Sequence, residues 1–266
     1  MIKHFIVKFL LPDTLKPNQD LLSKFAEFTQ PDDVIITFNY DLLLEQALWK
    51  AGLWSPQDGY LLGEFNRNLK YDHSKLFETQ VPIIKLHGSI NWHEAGIFQE
   101  NIQVDLSHPA NYEPYFEGLN IDFGVRQRPR EFYYDQYLIA PTFMKTYRSK
   151  YEVHLVRAAC DAISKSDEIY AIGYSFPDAD SFSSFLLAQI PAESKIFIVD
   201  KNADEIATTL SKSYGLKRNN IKNEQSNIGD WIGGGFKFSA YENYLETQHI
   251  MNEMLQISKN RSIKHE

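Results

Sequence analysis

The sequence is almost free of cysteine, and its apolar runs are short. Cys160 is the only cysteine, so no internal disulfide can form and no Cys-x-x-Cys zinc site exists. The apolar start, Met1–Leu11, is broken by Lys8 and followed by Pro12, which makes it too short to span a bilayer. It also lacks the small-residue cleavage pattern of a signal peptide. These absences predict a protein of the reducing cytoplasm.

Basic residues are outnumbered as well. The chain has 27 Lys and Arg against 35 Asp and Glu, which gives a net charge of −8 and a pI near 5.5. This charge argues against nucleic acid or an anionic membrane as the main partner. Hydrophobic residues make up 43% of the 266 residues and charged residues 23%, as in ordinary globular proteins. We predict one large domain over residues 1–266.

Segments typical of strands and helices alternate along the chain. Short β-branched runs predict strands, and those that hold Ile35 and Ile84 are continuously apolar, so both residues should be buried on both sides of the sheet. Apolar residues at helical spacing predict helices. The predicted strands cover 34–38, 81–86, 168–172 and 195–199. The predicted helices cover 18–29, 41–51, 147–164, 181–189 and 203–213. This alternation predicts an α/β fold in which a Rossmann-like parallel sheet carries helices on both faces.

Other segments fall outside this alternation. Residues 91–130 are polar and aromatic, with three prolines and no clean period, and predict an irregular insertion. Residues 138–141 are typical of a strand that ends in a loop. Glycines at 233–235 predict a turn, followed by a helix at 241–255 within a C-terminal extension at about 236–266.

Three of the predicted strands end in polar residues. Asn39 and Asp41 follow the first strand, His87 follows the second, and Gly173 and Ser175 follow the 168–172 strand. Ligands of open α/β sheets bind at the carboxyl ends of the strands. Histidine also has a pKa near neutrality, which suits a general base. Gly88, next to His87, would let a ligand approach the backbone closely. The pattern therefore predicts a ligand site at this edge of the sheet.

Each of these residues also has an ordinary structural explanation. Asn39 and Asp41 suit a turn and a helix cap, and His87 suits a bond to a backbone carbonyl. Ser175 and Asp180 raise the alternative of a serine hydrolase, but Phe176–Pro177 stands where a nucleophile elbow needs glycine after the serine. Asp178 and Asp180 also suit caps of the helix that begins at Ser181. The histidines show no metal-ligand spacing. The ordered set of strand ends favours a ligand site.

The order of these motifs resembles the sirtuin family, and in particular the sirtuin-like domains of bacterial NAD-consuming defence proteins. The family pattern runs Thr-x-Asn-Tyr-Asp, Leu-His-Gly, Gly-Tyr-Ser with a following Pro-Asp and a further Asp. The corresponding segments here are Thr37–Asp41, Leu86–Gly88, Gly173–Asp180 and Ile198–Asn202. Each motif is short, and its specificity comes from the order of the set.

The resemblance implies that NAD is the substrate and that Asn39 and His87 are catalytic. Asn39 would hold the nicotinamide ribose or orient a water molecule. His87 would act as general base toward a ribose hydroxyl or the attacking water. Such an enzyme is an NAD glycohydrolase, and its expected ligands are NAD or ADP-ribose.

The resemblance also implies binding roles for other strand-end residues. Thr37 belongs to the first motif, and Asp41 would meet the carboxamide of nicotinamide. Gly173 and Ser175 would contact phosphate or the adenine ribose, and Asn202 the adenosine end. No metal ligand is implied.

The chain departs from the sirtuin pattern in two places. Sirtuins begin with a strand ending in Gly-Ala-Gly-x-Ser, which cradles the pyrophosphate, yet the 38 residues before Asn39 contain no glycine. This predicts a truncated chain, a homo-oligomer or partner chain that supplies the loop, or a protein that no longer hydrolyses NAD. The cysteines of the sirtuin zinc module are absent, so no zinc is predicted. Two classes stay open: an NAD glycohydrolase of the antiviral defence type, and a non-catalytic nucleotide-binding or assembly module.

Overall fold

The computed structural model describes residues 18–63, 78–95, 101–104, 136–139, 149–176, 181–224, 226 and 228–233. Within these ranges the protein has a mixed α/β fold with parallel sheets and helices. This confirms the predicted fold class at the level of α/β. None of the helices in this part of the chain is long and apolar enough to cross a membrane.

The first helix and strand lie close to their predicted positions. Helix α1 spans Gln19–Phe28, and the Asn18 side chain caps it by accepting a hydrogen bond from the third amide, 3.2 Å away. Strand β1 spans Ile35–Thr37, and helix α2 spans Leu43–Lys50. The polar segment between β1 and α2 is therefore five residues long. It holds the first of the predicted strand ends.

A parallel pair and an antiparallel sheet follow. Strand β2, Ile83–Lys85, pairs in parallel with β1. Strand β3, Gly88–Ala95, pairs antiparallel with β4, Asn101–Val104, and with β5, Gln136–Leu138. The predicted irregular insertion at 91–130 was therefore wrong for 91–95 and 101–104, while the rest of it lies outside the described residues. The alternation of buried Ile90 and Trp92 with polar neighbours is a strand pattern.

The second half of the chain follows the predicted alternation most closely. Its elements are α3 (Lys150–Ser164), β6 (Glu168–Ile172), α4 (Ser181–Leu187), β7 (Lys195–Val199), α5 (Ala203–Tyr214), β8 (Ile221–Glu224) and α6 (Ile228–Gly233). Ser149 begins α3 with a capping box, because its hydroxyl and the Glu152 carboxylate bond each other's backbone amides. Strand β8 and helix α6 were not predicted.

The described parallel strands belong to two hydrogen-bonded sheets. One contains β1 and β2, and the other has the order β6-β7-β8. Helix α1 packs on both, since Phe25 contacts the core of the first sheet and the cluster around Val199 and Trp231 of the second half. Among the described residues, no ladder joins the two sheets, so one continuous Rossmann-like sheet stays a prediction.

The core lies chiefly around β2. Ile84 is fully buried, as predicted, whereas Ile35 on β1 is only half-buried. Leu155 and Ala159 of α3 pack in the same core. The prediction that Ile35 is buried on both sides was therefore wrong. The predicted C-terminal extension at 236–266 lies outside the described residues.

Candidate functional site

The turn after β1 is shaped by its own side chains. The backbone amide of Asn39 donates to the Thr37 hydroxyl at 3.1 Å, and the backbone amide of Leu43 donates to Asp41 Oδ1 at 3.0 Å. Helix α2 begins at Leu43, two residues after Asp41, and its N-cap is Leu42. Asp41 therefore forms a local turn and is not the N-cap residue itself. Thr37 is buried while Asn39 is exposed, so the turn presents the Asn39 side chain to solvent.

His87 lies beside this turn. It follows β2 and is buried, with 4% of its surface exposed. Its ring centroid is 4.9 Å from that of Phe38 and 6.2 Å from that of Tyr40. Because these two aromatic residues flank Asn39 in the chain, the structure brings the first and second strand ends together. The His87 carbonyl accepts the Ile139 amide at 2.8 Å, which ties this strand end to the antiparallel sheet.

The third strand end reaches the first through an aromatic stack. The Tyr174 ring lies parallel to that of Phe38 with centroids 4.6 Å apart, and Phe176 meets Tyr174 edge-on at 4.9 Å. Gly173 has φ +62° and donates its amide to the Val199 carbonyl at 2.9 Å. Ser175 is exposed. The ends of β1, β2 and β6 therefore meet in one aromatic group, Phe38, His87 and Tyr174.

Asn202 lies at the start of α5. Its amide donates to Asp200 Oδ1 at 2.8 Å, and its exposed side chain makes no capping bond. Asn202 follows β7, the strand that pairs with β6. The hydrogen bond from the Gly173 amide to the Val199 carbonyl joins the ends of these two strands. Its side chain faces solvent and is open to a ligand.

Gly88 has a structural explanation that differs from the predicted one. The sequence predicted that this glycine lets a ligand approach the backbone. Gly88 has φ +82°, and a Cβ atom there would lie 2.0 Å from the Tyr137 carbonyl oxygen. The close approach is made by β5, and glycine is required because any side chain would collide with that strand.

The sequence reading missed a buried polar network beneath the turn. The side chains of Lys85 on β2 and Glu45 on α2 are each 1% exposed, and Lys85 Nζ lies 2.8 Å from Glu45 Oε1. The same ammonium donates to the Asp41 carbonyl. Tyr60 donates its hydroxyl to Glu45 Oε1 at 2.9 Å and accepts from the Asn91 amide at 3.2 Å. The sequence feature that could have revealed this network is a lysine in one apolar run and a glutamate in another.

Burial sets the electrostatics of this network. Loss of solvent raises the pKa of Glu45, and the Lys85 ammonium opposes that shift. Burial also raises the pKa of Tyr60 well above its usual range, with the Glu45 carboxylate adding to the effect. Tyr60 is therefore a hydrogen-bond donor at neutral pH. Glu45 Oε2 has no hydrogen-bond partner among the described residues.

Two other kinds of site come from the sequence, a metal centre and a serine nucleophile. No three His, Cys, Asp or Glu side chains there form a group that could hold a metal ion. Ser175, the serine considered as a nucleophile, is exposed at its strand end. Asp178 and Asp180 lie outside the described residues.

The carboxyl ends of parallel strands, where these residues meet, are the usual location of ligands in α/β domains. The chain belongs to the SIR2-like domain family, whose model matches residues 33–219, more than half of the sequence. The matched range begins just before β1 and includes all three strand ends. It confirms the resemblance to sirtuins and indicates an NAD-related function. No curated protein gives a significant match.

Proposed function

We propose that this protein is an NAD glycohydrolase whose site lies at the joined ends of β1, β2 and β6. The observation that carries the proposal is the aromatic group of Phe38, His87 and Tyr174, with centroids 4.6 and 4.9 Å apart. It brings together strand ends that are far apart in the sequence. Membership of the SIR2-like family supports NAD as the substrate.

The proposed reaction is hydrolysis of the bond between nicotinamide and ribose. The C–N bond breaks, nicotinamide leaves with the bonding electrons, and the ribosyl carbon becomes an oxocarbenium-like cation. A water oxygen bonds to that carbon while its proton passes to His87. The side-chain amide of the exposed Asn39 orients the water or the ribose. His87 suits this task because imidazole accepts protons near neutral pH.

The remaining contacts are proposed from the groups that the fold leaves available. Thr37 Oγ1 and Asp41 Oδ1 each already accept a backbone amide, so Asp41 would meet the carboxamide through its other carboxylate oxygen. The Gly173 amide is already bonded to the Val199 carbonyl. No described residue lies within 4 Å of where a Cβ atom of Gly173 would be, which leaves space for phosphate or ribose. Ser175 and Asn202 are exposed and would contact the adenosine half.

The wider organisation is also proposed. The shared packing of α1 on both parallel sheets supports a single Rossmann-like domain, with the C-terminal extension attached to it. A homo-oligomer or a partner chain would supply the glycine-rich loop, for which residues 1–38 hold no counterpart. A cytoplasmic setting and a role in antiviral defence complete the proposal.

Nicotinamide release measured by chromatography tests the proposal, with a thermal melt on every variant. We expect His87→Ala and Asn39→Ala to reduce release by about 100-fold or more without unfolding the protein, as loss of a general base or positioning group does. His154→Ala on α3 is the control, because it removes a half-buried histidine that belongs to none of the three strand ends. Undiminished release in both site variants contradicts the proposed mechanism.

The second candidate is a nucleotide-binding or assembly module without turnover. The 38 residues before Asn39 contain no glycine, and phosphate-cradling amides each contribute about 1.5–3 kcal/mol of charge-assisted hydrogen bonding. A site that works without three such amides would bind NAD more weakly by about three orders of magnitude or more. Calorimetric binding of ADP-ribose without nicotinamide release supports this candidate. Restoration of release by an added chain that carries the loop supports the enzyme.

A further inference from the structure

Stability is a poor explanation for the Lys85–Glu45 pair. Both side chains are 1% exposed, so each ion has lost its hydration. Replacing a buried ion pair by apolar groups of similar volume is often neutral or stabilising. A buried ion pair of this kind suits a positioning role, in which its directional hydrogen bonds fix one conformation of the neighbouring chain.

The atoms that Lys85 contacts show what is being fixed. Its ammonium has three donors, of which one reaches Glu45 on α2 and another reaches the Asp41 carbonyl. The preceding carbonyl, that of Tyr40, accepts the Ile90 amide at 3.0 Å. Two successive carbonyls of the turn are thus held from the β2–β3 side. The turn that they hold is the one that carries Asn39.

We propose that Lys85 is a positioning residue that orders the 39–41 turn, with Glu45 holding the ammonium in place. Tyr60 in turn holds Glu45, through the 2.9 Å bond from its hydroxyl. The ordering of the turn is independent of any reaction. Its consequence for catalysis rests on the proposed function.

The test removes both charges together. Lys85→Met/Glu45→Gln leaves no unpaired ion, and the glutamine oxygen still accepts the Tyr60 hydroxyl. The control is Lys195→Met/Glu168→Gln, a more exposed pair that is joined at 3.1 Å and whose carboxylate also accepts a tyrosine hydroxyl, at 2.8 Å. The control pair lies on β6 and β7, away from the 39–41 turn.

Amide hydrogen exchange of residues 39–43 is the deciding measurement. We expect it to accelerate by about tenfold or more in Lys85→Met/Glu45→Gln and to stay unchanged in the control, while β7 exchanges at the normal rate in the site variant. Unchanged exchange at 39–43 overturns the proposal. A double variant that fails to fold also overturns it, because a positioning role predicts an intact core.

Nicotinamide release separates this inference from the proposed function. In an active protein, we expect the double variant to lower kcat by about 100-fold with a smaller change in KM, since the turn is misplaced while the binding groups remain. A normal kcat with accelerated exchange contradicts the link to catalysis and leaves the ordering role supported. No release from the wild type counts against the proposed enzyme, and exchange alone then decides the role of Lys85.

Discussion

Replacing Lys85 alone with methionine should make the stability of this protein depend strongly on pH. Methionine fills nearly the same volume as the lysine stem but carries no charge. Glu45 would then remain 1% exposed and would keep the Tyr60 hydroxyl as a partner, while its Oε2 atom has no hydrogen-bond partner among the described residues. The free energy of unfolding should reflect whether Glu45 is ionised.

The magnitude follows from the burial of the pair. Removing one partner of a buried ion pair costs about 3–5 kcal/mol, because an uncompensated charge is left in the core. Burial already raises the pKa of Glu45 against the opposing Lys85 ammonium, so loss of Lys85 raises that pKa further. Asp41 and Tyr60 also face Glu45 and are the same in both proteins.

The sign of the pH effect is fixed by the direction of this shift. A carboxyl whose pKa is raised in the folded state contributes stability below its unfolded pKa, about 4.3 for glutamate. That stability is lost by up to about 1.4 kcal/mol per pH unit as the pH rises toward the folded pKa. Near pH 4.5, Lys85→Met should therefore cost only about 1–3 kcal/mol, for the unsatisfied Asp41 carbonyl.

Urea unfolding at about pH 4.5, 6 and 7.5 measures this dependence. The double variant Lys85→Met/Glu45→Gln has no carboxyl at position 45, so the difference between the single and double variants isolates Glu45. We expect that difference to widen as the pH rises. A difference that stays constant across this range refutes the reasoning, because the cost would then come from packing alone.

Two further pairs of variants test the packing. Ile84→Ala should cost about 2–5 kcal/mol in urea unfolding because Ile84 is fully buried, and Ile35→Ala should cost clearly less because that residue is half-buried; equal losses would contradict the burial difference. Gly88→Ala should prevent normal folding, because its Cβ would lie 2.0 Å from a backbone oxygen. Gly173→Ala, with φ +62° and open space, should lower stability by only about 1–2 kcal/mol, and similar thermal melts for the two variants would refute this contrast.

The local sequence pattern was sufficient to predict strands that are continuous apolar runs. The predicted strands at 168–172 and 195–199 match β6 and β7 to the residue. It failed for β8, Ile221–Glu224, which is mostly polar and becomes a strand by pairing with β7 at the edge of its sheet. Its strand character depends on that neighbour.

The candidate site divides in the same way. The polar residues at each strand end could be read from the chain, because each follows a recognisable strand. Their meeting through Phe38 and Tyr174 could not, because that stack joins segments far apart in sequence. Whether one continuous sheet underlies them remains a prediction, since β1 and β6 share no ladder in the described structure.

The buried network shows what the strand-end motifs alone leave out. The motif predicts which side chains reach the ligand, but Asn39 is exposed, so packing of its own side chain does little to fix the turn. Lys85 and Glu45 fix the turn from beneath, where an apolar pair would give comparable stability without a bond to the Asp41 carbonyl. The protein keeps this ion pair in its core although both ions lose their hydration. This choice favours a role in which the position of the 39–41 turn matters for function.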